Sequence, residues 1–217
     1  MGMAATSGAA QAGRSCKSFR TRTLEGEKNP MQFCSQCGSP VTLSVPEGDN
    51  RERHVCTDCG VIHYQNPRMV VGSVPEWEGQ VLLCRRAIEP RRGFWTLPAG
   101  FLELGESAEA GAMRETLEEA GARVELVAPF TLFSVPHVNQ VHIYYRARLS
   151  APEYLAGEES LEVALHREAE VPWEQLAFTT VRETLRHWFA DRAAGRWGVH
   201  HGTVHRDPNR SSARGMV

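Results

Sequence analysis

No stretch of this sequence stays apolar for the roughly 20 residues that a membrane-spanning helix needs, and its first residues lack the pattern of a signal peptide. Lysine is also scarce: Lys17 and Lys28 are the only two, and arginine supplies the positive charge from Met31 onward. Neither sign of charge dominates, since the formal net charge is −2, which gives no support for a nucleic-acid-binding face or a membrane-surface role. These absences predict a cytoplasmic protein without a nucleic acid or membrane partner. The lysine-poor body is typical of a GC-biased, bacterial genome.

Residues 1–30 differ from the rest in composition. They carry a net charge of +3 and consist largely of Ala, Gly, Ser and Thr, with few large apolar side chains. Such a segment cannot bury much surface, so we expect a disordered leader. A basic, hydroxyl-rich leader is typical of an organelle transit peptide. We favour a second interpretation, in which these residues are a vector-derived or upstream-start tail and Met31 is the natural first residue.

The whole sequence has the composition of an ordinary globular protein, with 41% hydrophobic and 23% charged residues. Its 217 residues suffice for a medium domain plus a small module. Two strand-like runs, Met69–Val74 and Gln80–Arg85, are joined through Glu78-Gly79, which predicts a hairpin. Residues 141–149 alternate as in a half-buried strand, and residues 161–165 are a further short candidate.

A helix is predicted towards the end of the chain. Thr180 can cap it, Gly195 can end it, and its apolar residues recur at helical spacing, namely Val181, Leu185, Trp188 and Phe189. From His200 onward the sequence is polar, so we expect a loose tail over residues 199–217. Strands and helices therefore mix along one α+β domain, which we place at residues 67–198.

Four cysteines punctuate a turn-rich segment at residues 31–66. They form two Cys-x-x-Cys pairs, each followed by a glycine that permits a tight turn: Cys34, Cys37, Cys56 and Cys59. This spacing predicts a zinc ribbon whose four thiolates fill a tetrahedral Zn²⁺ site, so that the zinc is structural. Disulfides are disfavoured by an intracellular setting, and a redox motif needs only one pair. Cys84, inside a predicted strand, is interpreted as a small buried hydrophobic residue.

An acidic helix is predicted over residues 108–120, because Ser107 is a natural N-cap and Gly121 a natural stop. A helical wheel places Gly111 on one face with three glutamates, Glu115, Glu118 and Glu119. The opposite face, which we expect to be the core face, carries Ala110, Met113, Leu117 and Ala120. A solvated acidic surface is the ordinary interpretation. However, a helix-interior glycine costs about 1 kcal/mol, so Gly111 on the acidic face indicates room for something to approach. Mg²⁺ prefers several carboxylate oxygens, which this face provides.

The segment around this helix resembles the Nudix box, G-x5-E-x7-R-E-U-x-E-E-x-G-U, in which U is a bulky aliphatic residue. Every fixed position matches: Gly100, Glu106, Arg114, Glu115, Glu118, Glu119 and Gly121. The two U positions depart from the motif, because Thr116 and Ala122 are smaller than usual. The resemblance covers residues 32–205 and implies a Nudix α/β/α sandwich around a mixed sheet, preceded by the zinc ribbon.

The resemblance also implies a reaction, the hydrolysis of a nucleoside diphosphate linked to another moiety, with Mg²⁺ or Mn²⁺ bound by the box glutamates. Glu115 and Glu119 would be the principal metal ligands, and Glu118 a further ligand or the base for the attacking water. Arg114 would hold these catalytic carboxylates in place. Many members of the family are dimers, so a homodimer is a further expectation.

Within the family, the sequence resembles the group typified by the plant chloroplast FAD pyrophosphatase. Four stretches carry this resemblance: residues 64–72, 93–105, 159–162 and 201–203. It implies a small dinucleotide substrate, with FAD hydrolysed to FMN and AMP and ADP-ribose as a second substrate. Arg86 and Gly100 are candidate substrate-binding residues. Some relatives take a further metal ligand or base from a later loop, and here Glu159 or Glu162 is the candidate.

Two alternatives remain open. NADH pyrophosphatases carry a Ser-Gln-Pro-Trp-Pro-Phe-Pro-like stretch after the box, and residues 129–141 lack it. A non-catalytic nucleotide-sensing regulator would usually have lost box glutamates, which are intact here.

Overall fold

The computed structural model describes residues 31–205, so the predicted leader lies outside the described residues. Between Tyr64 and Gln65 the chain divides into two compact units. The first unit holds a three-stranded antiparallel sheet, made of β1 (Val41–Ser44), β2 (Arg53–Cys56) and β3 (Ile62–His63). Its register pairs His54 of β2 with His63 of β3.

The second unit is built on one eight-stranded sheet. Its strands are β4 (Arg68–Trp77), β5 (Gln80–Arg86), β6 (Trp95–Thr96), β7 (Ala99–Phe101), β8 (Val124–Val135), β9 (Gln140–Leu149), β10 (Ser160–His166) and β11 (His200–Thr203). Their order is β10-β5-β4-β9-β8-β11, with β6 beside β5 and β7 beside β4. The pairs β4–β9 and β8–β11 are parallel and the others antiparallel, so the sheet is mixed, as predicted.

Two helices, α1 (Ala108–Ala120) and α2 (Thr179–Ala194), pack with opposite faces of this sheet. Strand β5 contributes to an apolar core on each face of the sheet. Val81 and Leu83 pack with the apolar residues of α2, whereas Leu82 and Cys84 pack in the cluster that contains the end of α1. This confirms the predicted sandwich and the burial of Cys84, which is 1% exposed. No helix within residues 31–205 is long and apolar enough to cross a membrane.

Helix α2 begins differently from the prediction. Phe178 occupies the N-cap position without a side-chain cap, and Thr180 lies inside the first turn. The Thr180 side chain is buried, and its Oγ1 lies 3.1 Å from Nδ1 of His142 on β9. The prediction that Thr180 caps the helix is therefore wrong, because its hydroxyl instead partners a buried imidazole.

The predicted loose tail spans residues 199–217, of which 206–217 lie outside the described residues. Its described part contains a strand. Residues 200–203 form β11, which pairs in parallel with β8 and so lies at one edge of the sheet. His200 fixes it to α2: its Nε2 lies 2.9 Å from the Asp191 carboxylate, and its ring stacks on His187 with 3.9 Å between centroids. A four-residue polar strand with such distant partners carries no alternation that the sequence could reveal.

Candidate active site

Helix α1 has the two ends that its sequence predicts. The Ser107 hydroxyl accepts a hydrogen bond from the Ala110 N–H at 3.1 Å. Gly121 takes a left-handed φ of 59° and donates its N–H to the Leu117 carbonyl. That conformation favours glycine, since a Cβ there is strained. The capped ends fix the length of the helix.

The face of α1 that packs on the sheet is not the predicted one. Met113 and Leu117 are 41% and 43% exposed, and the buried residues are instead Gly111, Ala112, Thr116, Glu119 and Ala120. The helix lies too close to β4 for larger side chains, because a Cβ on Gly111 would stand 2.8 Å from Val71 Cγ2 and from a Glu106 carboxylate oxygen. Gly111 therefore leaves room for a close approach, as predicted, and what approaches it is the sheet and the preceding loop.

Arg114 joins the acidic residues of the site. It donates to both Glu106 carboxylate oxygens, at 2.7 and 3.1 Å, and its Nη1 donates to Glu115 at 2.7 Å and to Glu118 at 2.9 Å. A further bond reaches the Phe101 carbonyl at 3.2 Å. The bonds from Arg114 hold the pKa of Glu106 down at about 2. The guanidinium therefore fixes the preceding loop and two helix glutamates in one arrangement.

Glu119 is the buried carboxylate of the site. It is 5% exposed and accepts a hydrogen bond from the Ala99 N–H at 3.1 Å. Burial raises the pKa of Glu119 to about 8. The negative charge of Glu115 also raises this pKa, by a smaller amount than burial does. Burial also raises the pKa of Glu115. Carboxylates that are costly to ionise in the protein alone are stabilised in their charged form by a nearby cation.

Gly100 allows Glu115 to reach this position. A Cβ on Gly100 would lie 2.3 Å from the carboxylate carbon of Glu115. The site therefore needs a glycine here, because any side chain would displace one of its carboxylates.

The structure distinguishes the two later acidic candidates. Glu159 lies close enough for its charge to raise the pKa of both Glu115 and Glu119, although burial is the larger cause for each. Glu162 instead pairs with Arg85 at 3.5 Å. The charge of Glu159 therefore acts on two of the box glutamates, whereas Glu162 is paired with an arginine.

Arg86 stands at the edge of the same site. Its charge lowers the pKa of Glu119, an effect smaller than that of burial. Its Nε donates to the Pro90 carbonyl at 2.9 Å, and its guanidinium carbon lies 5.2 Å from the centre of the Phe178 ring. The hydrogen bond and the aromatic contact hold the cation beside the carboxylates.

Sequence reasoning missed a buried hydroxyl pair behind the site. The oxygens of Ser73 and Thr116 lie 2.6 Å apart, both residues are fully buried, and Thr116 also donates to the Ala112 carbonyl at 2.7 Å. The departure from the motif at Thr116 was a signal, but its partner is 43 residues away in sequence. The pair ties α1 to β4.

The turn before β10 was also missed. Leu155 donates its N–H to the Ala120 carbonyl at 2.8 Å, and Gly157 donates to the Glu119 carbonyl at 3.1 Å. Carbonyls in the last turn of a helix lack partners within the helix, so this turn supplies them. No side-chain pattern indicates this turn, because its partners are backbone groups.

The four cysteines of the first unit converge. Their sulfur atoms all lie within 4.8 Å of one another, with separations of 3.4 to 3.7 Å for three of the pairs. Four thiolates about 2.3 Å from a zinc ion would stand about 3.8 Å apart, so the donor set fits that ion. Gly38 and Gly60 take left-handed φ values of 76° and 72° in the two turns.

Comparisons with known proteins place these features in a family. The family described as NUDIX domain matches residues 66–192, and a zinc ribbon family described as Nudix N-terminal matches residues 32–65. A solved NUDIX hydrolase from Nitrosomonas europaea is 49% identical, with a TM-score of 0.79 over 81% of this chain and all of that one. An ADP-ribose pyrophosphatase from Streptococcus suis, 20% identical with a TM-score of 0.53 over 63% of this chain and all of that one, shares the fold.

Curated relatives match over shorter stretches. The NAD-capped RNA hydrolase NudC of Vibrio parahaemolyticus is 33% identical over 46% of this chain and 36% of its own length. The mouse mitochondrial NAD(P)H pyrophosphatase NUDT13 is 36% identical over 43% of this chain and 25% of its own. The chain thus spans well under two thirds of these relatives. The chain belongs to the Nudix hydrolase family and carries that family's zinc ribbon ahead of the Nudix domain.

Proposed function

We propose that this protein is a metal-dependent pyrophosphohydrolase whose divalent ions, Mg²⁺ or Mn²⁺, are held by Glu115, Glu119 and Glu159, with Glu118 as a further ligand or base. The observation that carries the proposal is the convergence of two carboxylates on one short segment: Glu119 accepts a hydrogen bond from the Ala99 N–H at 3.1 Å, and the Glu115 carboxylate fills the space of a Cβ on the adjacent Gly100. Carboxylate oxygens are the donors that these hard cations prefer. Burial makes the charged form of Glu119 costly, and a bound cation would offset that cost.

The bound metal would supply three effects: polarisation of a phosphoryl oxygen, acidification of a water molecule and neutralisation of the departing phosphate. The protein supplies position. Arg114 holds Glu115 and Glu118 from one side, and the Ala99 N–H orients Glu119. Glu118 is the most exposed of the three box glutamates, with 58% of its side chain accessible, and so is the best placed to accept a proton from an attacking water.

FAD is the proposed substrate, cut to FMN and AMP, with ADP-ribose as a second substrate. The sequence resemblance to the FAD pyrophosphatase group supports this choice. Arg86 would neutralise part of the pyrophosphate charge, because it lies beside the carboxylates at the edge of the site. Replacing Arg86 by alanine should therefore raise the KM for FAD.

NADH is the second candidate, because relatives such as NUDT13 carry NAD(P)H pyrophosphatase in their names. Against it stands the missing Ser-Gln-Pro-Trp-Pro-Phe-Pro-like stretch in residues 129–141, where a short 3₁₀ turn at Pro136–Val138 joins β8 to β9. A nucleotide sensor is the third candidate, and the intact box argues against it.

A substrate panel separates these candidates. The protein is incubated with FAD, ADP-ribose, NADH or NAD-capped RNA, with Mg²⁺ or Mn²⁺, and the products are separated by chromatography. We expect FMN and AMP from FAD at the highest kcat/KM. A higher kcat/KM for NADH would select the second candidate, and binding without turnover would select the sensor.

Glu119→Gln tests the catalytic site itself. The substitution keeps the acceptor for the Ala99 N–H but removes the charge, so we expect kcat to fall by at least about 100-fold. The control is Glu125→Gln, which changes an exposed glutamate on β8. Turnover of Glu119→Gln within a few-fold of that control would contradict the proposed site.

We also propose that Cys34, Cys37, Cys56 and Cys59 bind one structural Zn²⁺. Elemental analysis of the purified protein should give one zinc per chain. A Cys37→Ser protein should retain much less, and an unchanged zinc content would contradict this assignment.

A further inference from the structure

The turn from Leu155 to Glu159 is attached by its backbone on two sides. Leu155 and Gly157 donate to the last carbonyls of α1, at 2.8 and 3.1 Å. On the other side, the Glu159 carbonyl accepts a hydrogen bond from the Ala87 N–H at 2.8 Å, just after β5. The backbone that carries Glu159 is therefore fixed between α1 and β5.

Gly157 lies so close to α1 that no side chain fits between this turn and the helix. A Cβ on Gly157 would lie 1.8 Å from the Glu118 carbonyl oxygen, 2.9 Å from its carbon and 3.4 Å from the Cα of Glu119. All three are backbone atoms of a helix and cannot rotate away. The φ of Gly157 lies outside the left-handed region, so the contact with the helix, and not the backbone conformation, requires glycine.

We propose that Gly157 is a positioning residue for the hydrolytic site: by admitting the turn against the end of α1, it holds Glu159 within reach of the metal ions that Glu115 and Glu119 would bind. The proposal rests on the metal-dependent hydrolysis proposed above. The same hydrogen bond that Gly157 makes, to the Glu119 carbonyl, joins the turn to the residue with the buried carboxylate.

The position of Glu159 follows closely from that of Gly157, because only Glu158 stands between them. A side chain at position 157 must move from 1.8 Å to an ordinary contact of at least 3.4 Å, which carries the turn away from the helix. Metal–ligand distances tolerate only about 0.2 Å, and a misplacement of about 1 Å in a site can cost about 100-fold in rate. The methyl group added by Gly157→Ala should therefore displace the Glu159 carboxylate from the metal site.

The test is a double-mutant cycle with Gly157→Ala, Glu159→Gln and the double variant. For each we measure kcat, the KM for FAD and the Mn²⁺ concentration that gives half-maximal rate. Each single change should lower kcat about 10- to 100-fold and raise the half-saturating Mn²⁺ concentration. The kcat of the double variant should be no lower than that of the less active single variant, because both changes remove the same carboxylate from the site. Multiplying effects, or wild-type values for Gly157→Ala, would overturn the proposal.

Gly198→Ala is the matched control. Gly198 also has a φ outside the left-handed region, and a Cβ there meets no atom within 4 Å. This variant should keep wild-type kcat and metal dependence. A loss equal to that of Gly157→Ala would show that any added methyl group on a loop glycine is harmful, and would overturn the specific role.

A measurement on the wild-type protein does not depend on how Gly157→Ala folds. Amide hydrogen exchange is followed in the peptide covering residues 155–160, with and without Mn²⁺. A metal that links Glu159 to α1 should slow exchange at Leu155 and Gly157, and Glu159→Gln should abolish this slowing. Exchange that is unchanged by Mn²⁺ in an enzyme that Mn²⁺ activates would overturn the positioning role while leaving the proposed hydrolysis intact. Absence of metal-dependent hydrolysis would instead refute the proposed function.

Discussion

Thr116 shows how one residue adapts the family motif to this chain. The motif has a bulky aliphatic residue here, whereas the Thr116 hydroxyl is buried against Ser73 at 2.6 Å. A buried hydroxyl without a partner costs about 1–3 kcal/mol, but removing both partners of a pair can be nearly neutral. The polar pair therefore replaces the packing that an aliphatic side chain would provide.

This asymmetry gives a prediction for stability. Thr116→Val should lower the free energy of unfolding by about 1–3 kcal/mol, because it strands the Ser73 hydroxyl. The double variant Ser73→Ala/Thr116→Val should recover part of that loss. Urea unfolding gives the free energy of unfolding of the wild type, of Thr116→Val, of Ser73→Ala and of the double variant. Strictly additive effects would contradict the inferred coupling.

His63 provides a second prediction for a single residue. Its Nε2 lies 3.3 Å from the Cys34 sulfur, where an N–H would donate to a zinc-bound thiolate. Such supporting bonds are worth about 10- to 100-fold in metal affinity, so His63→Ala should weaken zinc binding by that factor. Competition with a chromophoric chelator measures this. His54, its register partner on β2, supplies the control: equal affinities of His63→Ala and His54→Ala would rule out the bond.

Among the elements, α1 departs most from its helical wheel. Its large apolar residues Met113 and Leu117 lie outside, and its small residues and Glu119 face the sheet. A wheel assumes that the largest apolar side chains point inward. Here the close approach of α1 to β4 admits only small side chains, as the contact between Gly111 and Val71 shows.

The two faces of α1 should respond differently to mutation. Leu117→Gln should change the free energy of unfolding by less than about 0.5 kcal/mol, since surface substitutions usually do. Ala112→Leu should cost about 1–3 kcal/mol, because Ala112 is fully buried and the larger side chain overpacks the interface. Thermal and urea unfolding report both. A larger loss for Leu117→Gln than for Ala112→Leu would restore the face that the wheel indicates.

At the scale of the whole molecule, buried histidines make stability depend on pH. Burial lowers the pKa of His142 from 6.5 to about 4, so the folded protein disfavours its charged form. His142 therefore contributes stability that is present above pH 6.5 and is lost as the pH falls towards 4, about 3 kcal/mol in all. Glu119 has the opposite effect on stability. Because burial raises its pKa from 4.5 to about 8, its contribution to the free energy of unfolding grows as the pH falls from 8 towards 4.5.

A comparison with His142→Asn isolates this contribution. The difference in unfolding free energy between the wild type and the variant should favour the wild type most at pH 7. It should shrink by up to about 3 kcal/mol as the pH falls from 7 to 4. Urea unfolding at several pH values measures it. A difference that stays constant with pH would show that His142 does not titrate as inferred.

The sequence alone determined the features that depend on local chemistry. The spacing of four cysteines indicates a zinc ribbon. Ser107 and Gly121 mark the two ends of α1, and the box glutamates recur at helical spacing. Each of these signals lies within a short segment or in a motif whose residue types are chemically constrained. The mixed sheet and the α/β/α sandwich followed from the family resemblance.

Only the tertiary structure decided the relations between distant segments. It showed which face of α1 is buried, paired Glu162 with Arg85 and Ser73 with Thr116, and turned residues 200–203 into a strand. These outcomes depend on how closely two backbones approach, and on carbonyl and amide groups that every residue has. A sequence does not encode such distances locally, so the acidic helix could be read from it, whereas the neighbours that make that helix a site could not.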